Sequence, residues 1–202
     1  NYMYRGSGPR VLPIIIVIIV IALIVAAIVT VVRMAMNGSS GEGQTNTKTA
    51  TLQESVLNRE ASRSVRWTVR GPIVADENFR SYQITVTPNS RTFVTYSGYL
   101  EQVMDTKKYD NNTKAYEEFV YALDKANIGA TRDAKDEEFR GVCATKGVAY
   151  MFETLNNSEP DNTVWSSSCK DSAGTMGADP LKVQALFVNQ IPDFNPLFNK
   201  VF

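Results

Sequence analysis

The stretch "SVRWTVRG", residues 64–71, is the clearest fold signal in the chain. Val65, Trp67 and Val69 alternate with polar residues, so that an extended backbone places the three apolar side chains on one face. A strand with one apolar face needs a second layer that covers it. The stretch therefore predicts a half-buried strand within a folded domain.

Two further stretches downstream predict a hairpin. "SYQITVT", residues 81–87, repeats the alternation with three apolar side chains inward, and "TFVTY", residues 92–96, pairs back with it. Pro88 fits the first central position of the connecting turn, because its ring fixes the backbone angle that the turn needs. The inward residues of the first strand are Tyr82, Ile84 and Val86.

A second pair of strands is expected near the C-terminal end. "VAYMFETL", residues 148–155, is apolar on both faces at its start, which is typical of a strand at the centre of a sheet. "NNSEPDN" predicts a turn, and "TVWSSSC", residues 163–169, predicts the partner strand.

Three segments predict helices. Thr51 and Glu54 have the spacing of a capping box, and we expect a short helix over 52–62. "NNTKAYEEFVYALDKANIG" carries an apolar stripe at helical spacing, formed by Tyr116, Phe119, Val120 and Leu123. Asp179 and Pro180 fit the cap and first position of a third helix, whose stripe is Val183, Leu186, Phe187 and Gln190.

The order β-β-β-α-β-β-α predicts an α+β domain over residues 51–202, with helices packed on one face of an antiparallel sheet. Cys143 precedes the fourth predicted strand and Cys169 ends the fifth. An antiparallel pairing brings the two close together, which favours a disulfide formed outside the cytoplasm. Two unlinked buried thiols are the alternative.

The composition restricts the chemistry. The chain of 202 residues has no histidine and a formal net charge of zero. Histidine-based triads and zinc sites are excluded within it, and no global field favours nucleic acid. Ser167 and Lys170 have the S-x-x-K spacing of penicillin-binding enzymes, but the accompanying K-T-G is missing. Asn157, Glu159 and Asp161 alternate as in a calcium loop that lacks its glycine and final glutamate, so a hairpin turn is favoured. We expect neither an enzyme nor a cofactor or metal site.

Two surfaces are candidate partner sites. Arg66 and Arg70, together with Arg80 and Arg91, could share one sheet face and bind an anionic wall polymer, although a solvated face is the simpler interpretation. The C-terminal "IPDFNPLFNKVF" either packs back over the domain or docks a partner. Its apolar side chains are Phe194, Leu197, Phe198 and Phe202.

The N-terminal part of the chain predicts a membrane anchor. Residues 14–32 form an uncharged apolar run that, as a helix, is roughly 28 Å long and close to the bilayer core. A buried core helix or strand is the alternative. Residues 11–33 are thus expected to span the lipid bilayer, and 34–50 to be a flexible linker. Arg5 and Arg10 favour a cytoplasmic segment 1–10 and an extracytoplasmic domain.

Four stretches carry a resemblance to known proteins: "RVLPIIIVIIVIALIVAAIVTVVR", "RGPIVADENFRSYQITVTPNSRT", "YSGYLEQV" and "AYEEFVYALDKAN". In these stretches the chain resembles uncharacterised membrane-anchored surface proteins of Saccharibacteria-type ultrasmall bacteria. The resemblance implies the envelope of an epibiotic bacterium and hence contact with a host-cell surface. An envelope protein or a wall polymer is the other partner that we expect. The chain is also similar to pilin-like subunits, but it lacks an early glutamate in the apolar run, and Gly38–Gly43 breaks the long helix. A non-catalytic envelope module is expected. A filament or secretion-apparatus subunit is the first alternative, and an enzyme that uses Ser and Lys or carboxylates is the last.

Overall fold

The computed structural model describes residues 51–133, 138–143, 146–169 and 172–199. The expected anchor over 11–33 and linker over 34–50 lie outside these residues. The described helices and strands are α1 (Leu52–Leu57), β1 (Arg63–Arg70), β2 (Arg80–Val86), β3 (Ser90–Ser97), β4 (Gln102–Asp110), α2 (Thr113–Lys125), β5 (Ala149–Asn156), β6 (Glu159–Ser167), α3 (Pro180–Val188) and α4 (Phe194–Phe198), with a 3₁₀ turn at Asp76–Asn78.

The six strands form one antiparallel sheet in the order β4-β3-β2-β1-β5-β6. β1 lies near the middle and pairs with both β2 and β5, so Trp67 has Ile84 on one side and Phe152 on the other. The antiparallel α+β class and the interior position of β5 are confirmed. The alternating stretch 64–71 is thus the strand that connects β2–β4 on one side of the sheet with β5 and β6 on the other.

The helices cover the face of the sheet that carries Trp67. Phe187 of α3 contacts the rings of Trp67 at 5.8 Å, Phe119 at 5.1 Å and Phe152 at 6.1 Å between centroids. The predicted stripe of α2 is entirely buried. Asn112 caps α2 and Asp179 caps α3, since each side chain accepts a backbone hydrogen bond from the first turn.

The main correction concerns β4, a strand that the sequence pattern did not predict. Its residues are exposed or half-exposed along the whole strand, because it lies at the edge of the sheet. Without a buried face a strand has no apolar alternation, and the segment looks like a polar loop. The element order is therefore β-β-β-β-α-β-β-α-α after α1.

Several boundaries also differ from the prediction. The capping box of α1 is present, but the helix ends at Leu57 and not at residue 62. The turn between β5 and β6 is shorter than "NNSEPDN". Asn157 and Ser158 adopt φ angles of 50° and 72° and make a two-residue turn, so β6 already begins at Glu159. α3 ends at Val188, before Gln190.

At both edges of the sheet, some backbone N–H and C=O groups already have hydrogen-bond partners. Along β6, Trp165 donates to the Thr175 hydroxyl at 3.2 Å, and its carbonyl accepts from Met176 N–H at 2.8 Å. In β4, the Asp105 carboxylate accepts from the N–H of Thr106 at 2.8 Å. The carbonyl of Asp110 accepts from Arg91 Nη2, also at 2.8 Å.

Candidate functional site

A pocket of about 320 Å³ opens at the end of the sheet where β1 finishes and β5 begins. Its walls come from the segment after β1, the turn between β3 and β4, and the loop before β5. The described part of the lining is mainly apolar and aromatic, with two cationic side chains. Lining residues include Arg70, Ile73, Phe79, Tyr99, Phe139 and Arg140.

Tyr99 holds the first wall in place. Its hydroxyl donates to the carbonyl of Val74 at 2.7 Å and accepts from the N–H of the same residue at 3.0 Å. Its own N–H donates to Asp76 Oδ1 at 2.7 Å, and its ring stacks on Phe79 with 4.2 Å between centroids. These contacts fix the segment between β1 and β2 against the β3–β4 turn.

Arg70 is the central charged group of the pocket. Its guanidinium carbon lies 5.1 Å from the ring centroid of Phe79 and 5.7 Å from that of Phe139. Nη1 lies 3.0 Å from the Glu101 carboxylate, which is more exposed to solvent than Arg70. The two ring contacts hold the guanidinium in one orientation, so a ligand would meet a cation that is already positioned.

The predicted disulfide between Cys143 and Cys169 is confirmed, with 5.5 Å between the two Cα atoms. It fastens the loop before β5 to the end of β6. The carbonyl of Cys143 also accepts a hydrogen bond from the N–H of Ile73 at 3.1 Å. The wall formed by residues 139–143 is thereby connected to the end of β6 and to the segment after β1, both at the pocket end of the sheet.

Apolar side chains are exposed beside the pocket. Ile73, Val74 and Tyr99 are each more than a third exposed, and Leu100 in the adjacent turn is 88% exposed. Val103 and Met104 continue this exposed surface into β4. An aromatic pocket with exposed apolar neighbours is typical of a surface that binds a partner.

The four arginines considered from the sequence do not share a sheet face. Arg66 and Arg70 alternate with Trp67 and therefore lie on the face away from the helices. Arg80 and Arg91 lie in register with Ser97 and Val86, on the opposite face. The predicted common face was wrong, because a shift of one position along a strand reverses the side on which a residue lies.

Arg66 does not line the pocket and is paired with a carboxylate of the neighbouring strand. Its Nε lies 2.6 Å from the buried carboxylate of Glu153 in the neighbouring strand. The hydrogen bond from Arg66 to Glu153, together with the charge of that carboxylate, raises the pKa of the guanidinium. Of the two arginines predicted as partner sites, only Arg70 lines the pocket.

The C-terminal segment packs on the core. The ring of Phe194 lies 5.6 Å from that of Tyr82 and 5.4 Å from that of Phe93, while Phe198 lies 5.8 Å from Tyr82. Leu197 is buried. Packing against β2 and β3 accounts for these three side chains, as the first of the two interpretations expected. Phe202 lies outside the described residues.

A partly buried polar network lies at the other end of β1. Arg63 Nη1 is 2.6 Å from Asp161, and Nη2 donates to the carbonyl of Ser55 in α1 at 3.3 Å. Thr154 donates to the other oxygen of Asp161 at 2.5 Å. Burial acts to raise the pKa of Asp161, but the hydrogen bonds from Thr154 and Arg63 and the charge of Arg63 outweigh it, and the net pKa is lowered.

The remaining chemical candidates have structural partners. Ser167 donates its hydroxyl to the carbonyl of Ser172 at 2.7 Å, and Lys170 lies outside the described residues. Asn157 is in the β5–β6 turn, and Asp161 binds Arg63. Within the described residues, there is no cluster of three metal-ligating side chains and no helix long and apolar enough to cross a membrane.

The pocket itself was not predicted from the sequence. Its residues come from separate segments, and Phe139 with Arg140 falls in a stretch that looks like a charged loop. The unassigned "YSGYLEQV", which supplies Tyr99, was the one available signal, since aromatic and leucine side chains in a turn are unusual. No protein-family model and no curated protein matches this sequence.

Proposed function

We propose that the protein is a membrane-anchored, extracytoplasmic binding module of the cell envelope that acts through contact and not through catalysis. The observation that carries the proposal is the pocket at the end of β1, with Arg70 held between two aromatic rings and apolar side chains exposed around it. This arrangement offers a shaped recognition surface. Among its described residues there is no nucleophile paired with a base.

Two further features support the location. The Cys143–Cys169 disulfide is of the kind that forms and persists outside the cytoplasm. The apolar run over residues 14–32 has the length of a bilayer-spanning helix. Within the described domain, α1 packs beside Arg63 at the start of β1, whereas the pocket is at the end of that strand.

Fractionation of cells that express the full chain tests the anchor. The chain should stay with carbonate-washed membranes, and protease added to intact cells should remove residues 51–202. Ile21→Arg together with Ile24→Arg should release it, since each central arginine costs about 2.5–3.5 kcal/mol of insertion free energy. Gln44→Arg with Asn46→Arg in the linker is the matched control and should stay bound. A native chain released by carbonate would refute the anchor.

A crosslinking experiment on intact cells tests the contact function. Leu100→Asp should remove crosslinks to other envelope components, because it places a charge in the exposed apolar surface beside the pocket. Leu181→Asp is the control, since Leu181 is also exposed but lies on α3. Recovery of the chain as a sheared polymer would instead favour the filament subunit.

A further inference from the structure

We propose that the pocket binds the C-terminal residue of a partner polypeptide, with the apolar side chain of that residue in the cavity and its carboxylate on Arg70. The proposal rests on the binding-module function above and names the ligand class of the same site. The geometry of the pocket supports each part of it separately.

The size of the cavity matches a small group. At about 320 Å³ it lies at the lower end of the range of roughly 300–1,000 Å³ that ligand pockets occupy. A pocket of this size takes one or two side chains and excludes a long polymer segment. Because Phe79, Phe139 and Tyr99 form much of the wall, the group that enters should be apolar.

The charges of the lining residues indicate which charged group the ligand should carry. Among the described residues that line the pocket, Arg70 and Arg140 carry charge, and both are cations. Their carboxylate partners, Glu101 and Glu138, do not line the pocket. A ligand group of negative charge is therefore complementary to the pocket, and a cationic group is disfavoured.

Arg70 is the better anchor of the two. Its side chain is 22% exposed and its guanidinium carbon lies 5.1 Å and 5.7 Å from two ring centroids, whereas the side chain of Arg140 is 78% exposed. A guanidinium has five N–H donors, and within the described residues Glu101 accepts from Nη1 of Arg70. A second carboxylate can share this guanidinium, although Glu101 would compete with it and repel it.

A C-terminal residue carries both required groups on one Cα atom. An internal aspartate or glutamate has the carboxylate but no apolar side chain, and an internal phenylalanine has the ring but no charge. Ile73 and Tyr99 at the rim are exposed and can contact the residue before the terminus. Because the pocket requires a negative charge and an apolar group together, it favours a free C-terminal residue as its ligand.

The test is a titration of the full ¹⁵N-labelled chain in phosphatidylcholine nanodiscs, or in buffer should the chain prove soluble. The probes are acetyl-Gly-Ser-Phe as the free acid, the same peptide as its C-terminal amide, and 3-phenylpropionate. The acid should shift the amide signals of Gly71, Ile73 and Gly141 and bind at least about tenfold more tightly than the amide, as expected for a hydrogen bond between charged groups.

Two matched pairs of variants sharpen the result. Arg70→Gln should weaken binding of the acid by about tenfold or more, while Arg59→Gln, in the exposed Arg59–Glu117 pair on the helix side, should leave it unchanged. Since Arg70→Gln could disturb the aromatic stack, Glu101→Gln provides a gain-of-binding test at an exposed position. It should tighten binding severalfold, and Glu117→Gln should not.

Equal binding of acid and amide would overturn the proposal, as would signal shifts away from the pocket or a loss of affinity in Glu101→Gln. Binding of 3-phenylpropionate without binding of the peptide acid would also overturn it, in favour of a small aromatic acid. The membrane fractionation fails or succeeds independently of this titration, so failure of the ligand assignment is distinguishable from failure of the anchor.

Discussion

The backbone N–H of Ile73 donates a hydrogen bond to the carbonyl of Cys143 at 3.1 Å. One of these residues lies at the pocket rim and the other is half of the disulfide, so the covalent link restrains the wall of the pocket. Stability and pocket geometry should consequently respond together when the disulfide is removed.

Replacement of both cysteines by serine should therefore have two effects. The free energy of unfolding should fall by about 3–4 kcal/mol, the chain-entropy value for a loop with a sequence separation of 26. The amide of Ile73 should also exchange its hydrogen faster. Urea denaturation of the full chain in mild detergent, followed by tryptophan fluorescence, measures the first effect. Identical unfolding curves for the native chain with and without reductant would contradict it.

Asp161 should make stability depend on pH. Its pKa in the folded state is lowered from the usual value of 3.8, so its contribution is complete above that value and is lost as pH falls through the folded pKa. Asp161→Asn should cost about 1–3 kcal/mol at pH 7, because Arg63 loses a charged partner. The variant should then lose less stability than the native chain between pH 6 and pH 3.

Urea denaturation at the two pH values gives this comparison. Asp105→Asn is the control, since Asp105 is exposed and lies 3.7 Å from the exposed Lys107. A variant and a native chain with the same loss between pH 6 and pH 3 would mean that Asp161 titrates normally.

Phe187 should be the most sensitive apolar position of α3. It is fully buried among Trp67, Phe119 and Phe152. Phe187→Ala should cost about 3–5 kcal/mol, since it leaves a cavity in the centre of the core. Leu181→Ala on the same helix removes an exposed side chain and should change stability by less than about 0.5 kcal/mol. Similar losses in both variants would argue against this packing of α3.

Substitution of Phe194 tests whether the C-terminal segment packs on the domain or docks a partner. Because its ring contacts Tyr82 and Phe93 and is half-buried, Phe194→Ala should cost about 2 kcal/mol, below the range for a fully buried ring. Binding of the acetyl-Gly-Ser-Phe acid should remain unchanged. Loss of envelope crosslinks without loss of stability would restore the docking interpretation.

The sequence predicted the strands in which apolar, buried side chains alternate with polar, exposed ones. β1, β2 and β3 have an apolar face and were found, whereas β4 is exposed on both sides and was missed. The two cysteines flank a predicted hairpin, so their proximity followed from the strand pairing. No local sequence pattern predicted the pocket, because Arg70, Tyr99 and Phe139 come together only once the sheet has formed. Buried Arg63 was missed because its partner is 98 positions away.

The edge of β4 has a consequence for how crowded copies of the domain behave. If a strand from a neighbouring copy approached β4, the N–H of Thr106 would already be bonded to Asp105, and the carbonyl of Asp110 would already be bonded to Arg91. The strand would also meet the ammonium groups of Lys107 and Lys108. Extending the sheet from one molecule to the next would mean breaking these bonds first. Copies of the domain held side by side should therefore remain separate folded units and not join into β-linked aggregates.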